Sequence, residues 1–397
     1  MTHAVDVLVV GGGPAGSATA ALLARRGWRV VLIDRAVFPR PKPCGDYLNP
    51  GCDEIFERLG VRDAVARAAA PMRGMLLTTP EGAAVALPFP RRNGWAVSRL
   101  RLDAALLDHA ARTGVAVHDG GRLVALEQEP RAVRITVERG GRDERYCARL
   151  VVGADGLRSS VARVAGIGSV VRHGRYTVGA YLGGLDAAGA GARPWGEIHL
   201  RPEGYCGVAH LPGGLANVTL AVPREVVRAW RGDLDAGYWK WLRGCPGLRH
   251  RLARAERVGP FTAVGPLGYH RRRPGRGRVL LVGDAAAHLD PMTGQGVYLA
   301  LRGAELCAAV AAGALARTGV PPVPAYAYMR WREFGPVFAA SRIVQALAFR
   351  PALVRRAAVQ LARYPDLRGR LIGVIGNTDG IGSVLQPAVL PRLLGRN

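Results

Sequence analysis

The sequence of 397 residues predicts an α/β protein that combines a parallel sheet, a second and mostly antiparallel sheet, and C-terminal helices. Three observations predict this fold. A strand, a glycine-rich turn, a helix and a second strand occupy the first 34 residues. Residues 174–222 alternate in polarity between Gly/Pro turns, and residues 321–397 carry apolar side chains at helical spacing.

The first predicted elements form a βαβ unit. Residues 5–10 are a short β-branched apolar run, as expected of a buried parallel strand, and a helix rich in small residues is predicted over 17–26. Gly27 ends that helix, and residues 29–34 give a second strand that finishes in an acidic residue. The order of these elements is that of a nucleotide-binding α/β domain.

The turn after the first strand carries the pattern G-x-G-x-x-G, on the residues Gly11, Gly13, Pro14, Ala15 and Gly16. Gly11 permits the tight turn, Gly13 lets a pyrophosphate approach the backbone, and Gly16 lets the helix pack closely on the strand. The N-terminus of the helix offers free N–H groups to phosphates. Asp34 lies where a carboxylate accepts hydrogen bonds from an adenosine ribose. The unit predicts a bound dinucleotide and by itself does not distinguish FAD from NAD.

Later segments continue the α/β pattern. The further predicted elements are an amphipathic helix over 99–112, a strand over 115–118, a polar strand pair over 123–138, buried strands over 149–154 and 278–283, and a long helix over 294–316. Beyond that helix, Pro351, Pro365 and Pro387 interrupt the helical pattern.

We expect interleaved domains, because no internal repeat or low-complexity linker separates these segments. The predicted domains are a cofactor-binding domain over 1–75, 99–172 and 271–320, a substrate domain over 76–98 and 173–270, and a C-terminal helical region over 321–397.

Composition narrows the class of protein. The chain has 55 basic and 30 acidic residues and a net charge of +25, yet its arginines are spread along the sequence rather than gathered in a stripe. This distribution argues against a nucleic-acid partner and leaves small anionic ligands or an acidic carrier protein open. The six cysteines show no C-x-x-C pair and no zinc spacing. We therefore expect free thiols, no metal site, and a cytoplasmic location, since no export signal is visible at the N-terminus.

Two further segments resemble motifs of a known family. Residues 152–159 (Val-Gly-Ala-Asp-Gly-Leu-Arg-Ser) are similar to the "DG" motif of FAD-dependent aromatic hydroxylases. Residues 281–286 (Leu-Val-Gly-Asp-Ala-Ala), with Pro291 and 294–296 (Gly-Gln-Gly), are similar to the "GD" motif of the same superfamily. The glycine-rich turn and these two segments occur in the family's order. Together they resemble the motifs of glutathione-reductase-type FAD proteins, within the superfamily of para-hydroxybenzoate hydroxylase and geranylgeranyl reductase.

The resemblance implies roles for several residues. Asp284, after Gly283, would hold the ribityl hydroxyls of the flavin, and Asp155 would be linked to the flavin and its reductant. The helix that starts at Gly294, Gln295 and Gly296 would face the flavin N1–C2 carbonyl region. Arg99 matches a family arginine near the cofactor. The reductant would be NADPH or NADH, or a separate flavin reductase, because no second dinucleotide unit is visible.

The segment 35–46 (Arg-Ala-Val-Phe-Pro-Arg-Pro-Lys-Pro-Cys-Gly-Asp) resembles the F-P-R-x-K-x-C-G segment of geranylgeranyl reductase-like flavoproteins. The resemblance places Arg35, Cys44 and Gly45 beside the flavin. Cys44 would contact the flavin or substrate as a hydrogen-bond or proton donor, or it would pack as a small buried thiol. Both roles remain open from the sequence.

The substrate sheet departs from the lipid reductases. Their Tyr-x-Trp-x-Phe-Pro pattern corresponds to residues 204–212, where Tyr205 and Pro212 remain and Gly207 replaces the tryptophan. This resembles the hydroxylase-like relatives of bacterial specialised metabolism. The W-x-W-x-I-P motif of flavin halogenases is absent.

The predicted function is FAD-dependent monooxygenation, a hydroxylation or epoxidation through a flavin C4a-hydroperoxide, of an apolar or aromatic small molecule. The predicted catalytic residues are Cys44, Tyr205 and His210. The alternative is a geranylgeranyl reductase-like olefin reductase or dehydrogenase, and a structural role for bound FAD is a third interpretation. The substrate would arrive free or on a carrier protein, with at most peripheral membrane contact.

Overall fold

The computed structural model describes residues 2–171, 174–188, 194–271, 273–317, 320–384, 386 and 389. Pro387, predicted to interrupt a helix, lies outside the described residues. The strands are β1 (Thr2–Val10), β2 (Val30–Asp34), β3 (Tyr47–Leu48), β4 (Ala70–Met72), β5 (Gly74–Thr78), β6 (Ala84–Pro88), β7 (Gly94–Ala96), β8 (Ala116–Asp119), β9 (Gly121–Gln128), β10 (Val133–Arg139), β11 (Arg142–Gly153), β12 (Ser169–Val171), β13 (Arg175–Gly183), β14 (Gly196–Arg201), β15 (Gly204–His210), β16 (Leu215–Pro223), β17 (Glu256–Val264), β18 (Tyr269–Arg271), β19 (Gly275–Arg276), β20 (Val279–Leu281) and β21 (Ala287–His288).

Eleven α-helices lie in the described part of the chain. They are α1 (Pro14–Ala24), α2 (Gly51–Leu59), α3 (Arg62–Ala68), α4 (Arg99–Arg112), α5 (Ser160–Val164), α6 (Arg224–Ala229), α7 (Leu234–Arg243), α8 (Gly296–Leu315), α9 (Val323–Ala348), α10 (Pro351–Arg363) and α11 (Pro365–Ile375).

The first sheet has eight strands and a parallel centre. Its main path runs β19-β20-β11-β1-β2-β8, and β10 and β9 extend antiparallel from β11. The pairs of β1 with β11 and β2, of β2 with β8, and of β11 with β20 are parallel. Val7 and Val9 are buried in a core cluster with residues of α1 and α8, whereas Leu8 and Val10 are buried with residues of β9, β10 and α5. The strand β1 is therefore covered on both faces, which explains its apolar sequence.

The second sheet has seven strands in the order β17-β13-β16-β15-β14-β5-β6. All of its pairs are antiparallel except that between β5 and β14. One face packs on α7, where Tyr238, Trp241 and Leu242 are buried against Val218 and Leu220. Side chains alternate between the faces of a strand, so the next residues along β16 lie on the opposite face. That opposite face lines the candidate site.

The C-terminal helices lie against the edge of the second sheet. Leu361, Leu367 and Ile372 form a buried cluster with Val85 and Leu87 of β6. Pro351 and Pro365 occupy the first positions of α10 and α11, where a missing N–H costs no helical hydrogen bond. The α/β fold class predicted from the sequence, with an antiparallel second sheet and C-terminal helices, is confirmed, and the domain boundaries stay predictions.

One helix in the described part of the chain, Gly296–Leu315, is long and apolar enough to cross a membrane. In that helix, 67% of the most apolar window is buried inside the protein, as in a core helix. A second such segment arises only if α9 and α10, which are bent by 110° at their junction, are counted as one.

Candidate active site

The glycine-rich turn between β1 and α1 is tightly packed at two of its glycines. Gly11 has a φ of +109°, and a Cβ there would lie 2.4 Å from the Ala154 carbonyl oxygen. A Cβ on Gly16 would lie 1.7 Å from the Gly11 carbonyl oxygen. These two positions therefore require glycine for the backbone turn and for close approach of helix and strand.

Gly13 differs from its neighbours because it borders open space. The nearest atoms to a Cβ on Gly13 would be the guanidinium nitrogens of Arg99, at 3.7 Å, and Arg40, at 3.8 Å. The helix α1 starts here without a side-chain cap and without an acidic residue in its first turn. The space thus joins two guanidinium groups to a helix N-terminus, an arrangement that suits phosphate groups.

Asp34 ends β2 beside this turn. Its Oδ2 accepts a hydrogen bond from the Gly12 N–H at 2.7 Å, and its Oδ1 accepts one from the Ala36 N–H at 2.9 Å. The side chain is thereby fixed next to the phosphate space. Arg35, the following residue, is exposed.

A second glycine-rich stretch forms the opposite wall. Gly283, with a φ of +60°, packs so closely on α1 that a Cβ there would lie 2.8 Å from the Ala15 Cβ. Asp284 follows it and lines the cavity, as do Pro291, Gly294 and Gly296. The helix α8 begins at Gly296 with no side-chain cap and no acidic residue in its first turn. Its positive end therefore faces the cavity unneutralised.

A cavity of about 540 Å³ connects these walls to the second sheet and the C-terminal helices. At one end it is lined by Gly13, Pro14 and Ala15 of the glycine turn. At the other end the lining is largely aliphatic, with contributions from α9, α10 and α11 that include Leu347, Leu361 and Ile375. The volume lies in the range of small-molecule and cofactor sites.

Cys44 lines the cavity, as does Lys42 two residues before it. Burial raises the pKa of the Cys44 thiol, although the Arg99 charge opposes that effect. The thiol therefore keeps its proton at neutral pH. Burial and the Arg99 charge lower the pKa of Lys42. The Lys42 Nζ points toward Gly156, where a Cβ would approach it to 3.6 Å.

Asp46 fixes the backbone beneath Cys44. Its carboxylate is buried and accepts hydrogen bonds from the Tyr181 hydroxyl at 2.7 Å, the Asn217 amide at 2.9 Å and the Arg99 N–H at 3.1 Å. Asn217 also donates to the Cys44 carbonyl oxygen at 2.9 Å. Burial raises the pKa of Asp46 to about 6, and these hydrogen bonds limit the increase. The loop that carries Cys44 is thus tied to the second sheet.

Tyr205 is a buried residue in the cavity wall formed by the second sheet. Its hydroxyl donates a hydrogen bond to Asp290 Oδ1 at 2.7 Å, and Arg175 donates to Asp290 Oδ2 at 3.0 Å. Burial and the neighbouring Asp290 charge raise the pKa of Tyr205, so the phenol stays protonated. Tyr205 and Cys44, two of the three predicted catalytic residues, both line the cavity.

His210, the third predicted catalytic residue, lies elsewhere. Its Nε2 is 3.0 Å from Glu197 Oε1, and the same carboxylate pairs with His199 at 2.9 Å and Arg251 at 2.6 Å. Burial alone would raise the pKa of Glu197, but the hydrogen bonds from His199, His210 and Arg251 hold it well below its usual range. In β15 the His210 side chain is an odd number of residues from Tyr205, so the two lie on opposite faces of the sheet. The geometry does not bring His210 to Cys44.

Asp155 and Gln295, two predicted cofactor-binding residues, use their side chains for hydrogen bonds within the protein. Asp155 accepts four hydrogen bonds at the start of α5, from the Ser159 hydroxyl, the Ser160 N–H and hydroxyl, and the Val161 N–H. The residues on either side of it, Ala154 and Gly156, line the cavity. Asp155 thus supports the loop that carries them.

Gln295 likewise points away from the cavity. Its amide donates to the Ile375 carbonyl oxygen at 2.7 Å and its Oε1 accepts from Asn377 at 2.6 Å. It therefore joins the start of α8 to the segment after α11, while the glycines on both sides of it face the cavity.

The sequence analysis did not single out Lys42, Asp46, Tyr181 or Asn217 as site residues. A signal existed for Lys42, because it is one of two lysines among 55 basic residues. Asp46 directly follows the predicted Cys44-Gly45 pair. For Tyr181 and Asn217 no local signal exists, since their roles depend on contacts 135 and 171 residues away. No group of three or more potential metal ligands occurs among the described residues.

Comparisons with known proteins agree with this site. The family described as "FAD binding domain" matches residues 4–187. The menaquinone reductase of Mycolicibacterium smegmatis is 31% identical over 329 residues, which cover 78% of this chain and 76% of that protein. The digeranylgeranylglycerophospholipid reductase of Methanothrix thermoacetophila is 32% identical over 343 residues, 83% of each chain.

Solved structures share the fold. The flavin-dependent halogenase CmlS matches with a TM-score of 0.77 and 26% identity. The match covers 86% of this chain, which spans only 63% of the length of the halogenase.

The residues present fit FAD. The open space at Gly13, with its helix N-terminus and two guanidinium groups, would hold the pyrophosphate, and Asp34 would hold the adenosine ribose. Asp284 would hold the ribityl hydroxyls, and the start of α8 would face the flavin carbonyls. The chain is an FAD-dependent enzyme and belongs to the oxidoreductase superfamily of para-hydroxybenzoate hydroxylase and geranylgeranyl reductase.

Proposed function

We propose that the chain is an FAD-dependent reductase that saturates a carbon–carbon double bond in a long apolar substrate, an isoprenoid chain being the best fit. One observation carries the proposal. The Cys44 thiol, which retains its proton, lies in a cavity that begins at the cofactor residues and continues between aliphatic side chains of the C-terminal helices. In this proposal the Cys44 thiol is the proton donor beside the path of a linear apolar molecule past the cofactor.

The reaction requires a hydride and a proton. When FAD is bound and has been reduced by NADPH or NADH, the hydride would come from the flavin. The Cys44 Sγ holds the proton that goes to the second carbon of the double bond, and burial keeps that proton in place before the reaction. Solvent then returns a proton to the thiolate. Atoms and electrons balance, since one hydride and one proton convert the double bond into a single bond.

Other residues of the chain position these groups. Asn217 and Asp46 hold the backbone at Cys44, while Arg99 is fixed by two hydrogen bonds to Asp103, at 2.7 and 2.8 Å. Tyr205, held by Asp290, presents an aromatic face to the substrate. The aliphatic walls exclude water and give the substrate an apolar environment.

The sequence relatives support this choice. The two relatives reported above are each more than 30% identical, and both are named as reductases, one of menaquinone and one of digeranylgeranylglycerophospholipid. Saturation of an isoprenoid chain therefore ranks ahead of the monooxygenation that the missing tryptophan favoured.

Monooxygenation of an apolar or aromatic molecule remains a second candidate, and Gly207 favours it. A Cβ on Gly207 would meet nothing closer than the Ile198 Cδ1 at 3.8 Å, so the sheet leaves room there for a ring. In this function the same walls would exclude water, and Cys44 would only pack against the substrate.

Product analysis tests the two functions. The FAD-loaded protein is supplied with NADPH or NADH and a menaquinone or a geranylgeranyl lipid, first without and then with oxygen. A geranylgeranyl lipid, or a menaquinone whose ring is reoxidised in air before analysis, is expected to be heavier by two hydrogens for each double bond reduced, and this product should form without oxygen. A product heavier by one oxygen atom, formed only with oxygen, would support the monooxygenase and overturn the reductase.

The variant Cys44→Ala tests whether the Cys44 thiol is the proton donor. Cys44→Ser is the matched control, because it retains a proton on a smaller, less acidic group. Cys44→Ala should reduce turnover at least about tenfold while flavin reduction by NADPH stays unchanged. Wild-type turnover in Cys44→Ala would return this residue to packing and remove the basis of the proposal.

A further inference from the structure

The solvent-facing sides of α9 and α10, on either side of their junction, have an unusual composition. We define the elbow face as the exposed residues from 339 to 363, which are Ala339, Arg342, Ile343, Ala346, Arg350, Pro351, Ala352, Arg355, Arg356, Val359, Ala362 and Arg363. Within each helix these positions recur at helical spacing, so each set forms one stripe. The elbow face contains only aliphatic residues, proline and arginine.

Two uncharged polar residues of α9 point inward. Ser341 and Gln345 are buried, and the Ser341 hydroxyl hydrogen-bonds the Thr293 hydroxyl at 2.8 Å. By contrast, Ile343 is 50% exposed and Val359 is 58% exposed. A helix face turned to water would carry the reverse distribution, whereas aliphatic and cationic side chains together suit the interface of a bilayer.

The charge of the elbow face has one sign. Between Glu333 and Asp366 the sequence contains five arginines and no acidic residue. The ion pairs of the described residues include none of these five arginines, which are Arg342, Arg350, Arg355, Arg356 and Arg363. Arginines without carboxylate partners on an exposed apolar surface complement anionic lipid headgroups.

The elbow face also surrounds an opening of the cavity. Ile343 and Arg356 belong to the exposed stripes and line the cavity as well. Leu347, Leu353 and Leu361, on the inner sides of the same two helices, continue the cavity wall toward Cys44. An apolar molecule that enters at the elbow therefore meets an aliphatic path from the surface.

We propose that the elbow face docks on an anionic lipid bilayer and that the cavity receives its apolar substrate from that bilayer. Docking stands on the composition and charge of the elbow face alone. Entry of an isoprenoid substrate by this route rests on the proposed function.

Vesicle binding tests docking without turnover. The FAD-loaded full chain is sedimented with vesicles of phosphatidylcholine alone and with vesicles containing phosphatidylglycerol. Binding is expected only to the anionic vesicles. The double variant Arg342→Gln/Arg355→Gln, which alters neither cavity-lining nor cofactor residues, should weaken it by roughly 25-fold, at about fivefold per arginine. The variant Val359→Asp should weaken it as well.

The matched control is Arg142→Gln/Arg145→Gln, which removes two exposed arginines from β11. It should bind like the wild type. An equal loss in this control would assign binding to the overall charge of +25 and overturn the proposal. Failure to bind anionic vesicles, or binding to an acidic carrier protein in their place, would also overturn it.

Turnover separates the two proposals. With a short substrate dissolved in detergent, Arg342→Gln/Arg355→Gln should match the wild type, and with substrate embedded in anionic vesicles it should be slower. Loss of vesicle binding with both rates unchanged would overturn substrate entry from the bilayer. Absence of any reduction in the wild type would instead overturn the proposed function and leave docking supported by sedimentation.

Discussion

Asp46 combines two unfavourable features beside the cavity. It has a φ of +53°, in the left-handed region, and its carboxylate is buried. Three donors from α4, β13 and β16 converge on it: the Arg99 N–H, the Tyr181 hydroxyl and the Asn217 amide. Such a costly arrangement persists because it holds the Cys44 loop against the second sheet.

The raised pKa of Asp46 makes stability depend on pH. An acid whose pKa is higher in the folded state binds its proton more tightly there, so protonation stabilises the fold. The stability gained from protonated Asp46 is fully present below the ordinary aspartate pKa of 3.8 and is lost as the pH rises through its folded-state pKa of about 6. The shift corresponds to about 3 kcal/mol.

Asp46→Asn is the matched substitution, since asparagine has the same size and tolerates a left-handed backbone. Relative to this variant, the wild type should lose up to about 3 kcal/mol of unfolding free energy between about pH 4 and about pH 7. Urea unfolding at several pH values measures this difference. Asp108→Asn, at an exposed position of α4, serves as the control, and a constant difference between wild type and Asp46→Asn would show that Asp46 keeps an ordinary pKa.

At the scale of elements, local pattern predicted the first sheet well. The predicted helix over 99–112 is α4, Arg99–Arg112, because its apolar spacing and its flanking residues are local features. The strand predicted over 149–154 is longer, Arg142–Gly153, because a polar extension pairs with β10. Pro336 lies inside the 26-residue helix α9, although a proline in a helix interior removes one backbone hydrogen bond.

The candidate site was predictable where a motif is short and contiguous. The glycine turn, Cys44 and Asp284 follow from sequence motifs and line one cavity. Short motifs do not predict which face of a strand carries a given side chain, because that depends on the register of the strand in its sheet. Tyr205 and His210 belong to the same seven-residue strand, yet only Tyr205 lines the cavity.

Substitution of His210 tests whether its strand face excludes it from catalysis. Because its side chain lies on the opposite face of the sheet from Tyr205 and pairs with Glu197, His210→Ala should leave kcat and KM within about twofold of the wild type and lower the unfolding free energy by about 1.5–3 kcal/mol. His210→Gln retains a donor and should restore part of that stability. Tyr205→Ala, which removes the aromatic ring from the cavity wall, should by contrast raise KM as well as lower the unfolding free energy. A large fall in kcat for His210→Ala would instead return this residue to the catalytic set.

At the scale of the whole molecule, the residues that would hold the cofactor lie where the parts of the chain meet. The cavity is bounded by the glycine turn of the first sheet, the inner face of the second sheet and the C-terminal helices. A ligand that fills it contacts all three, so binding should stabilise the chain as a unit. At a free FAD concentration of a hundred times Kd the gain is about 2.7 kcal/mol.

The glycines of the turn allow this gain to be separated from folding. An added Cβ at Gly13 has room in the protein itself, with its nearest neighbour at 3.7 Å, but it occupies the space assigned to the pyrophosphate. An added Cβ at Gly16 would lie 1.7 Å from the Gly11 carbonyl oxygen and must displace the backbone. Gly13→Ala should therefore affect FAD binding alone, whereas Gly16→Ala should affect folding as well.

Thermal unfolding with and without FAD measures both effects. Without FAD, Gly13→Ala should unfold close to the wild-type temperature and Gly16→Ala several degrees lower. With FAD, the wild type should gain stability and Gly13→Ala should gain less, by about 1.4 kcal/mol for each tenfold rise in Kd. An equal gain in Gly13→Ala would place the pyrophosphate elsewhere. Because the three parts of the chain share the cavity, the stabilised wild type should still unfold in one transition, and a second transition unaffected by FAD would show that one part does not contact the cofactor.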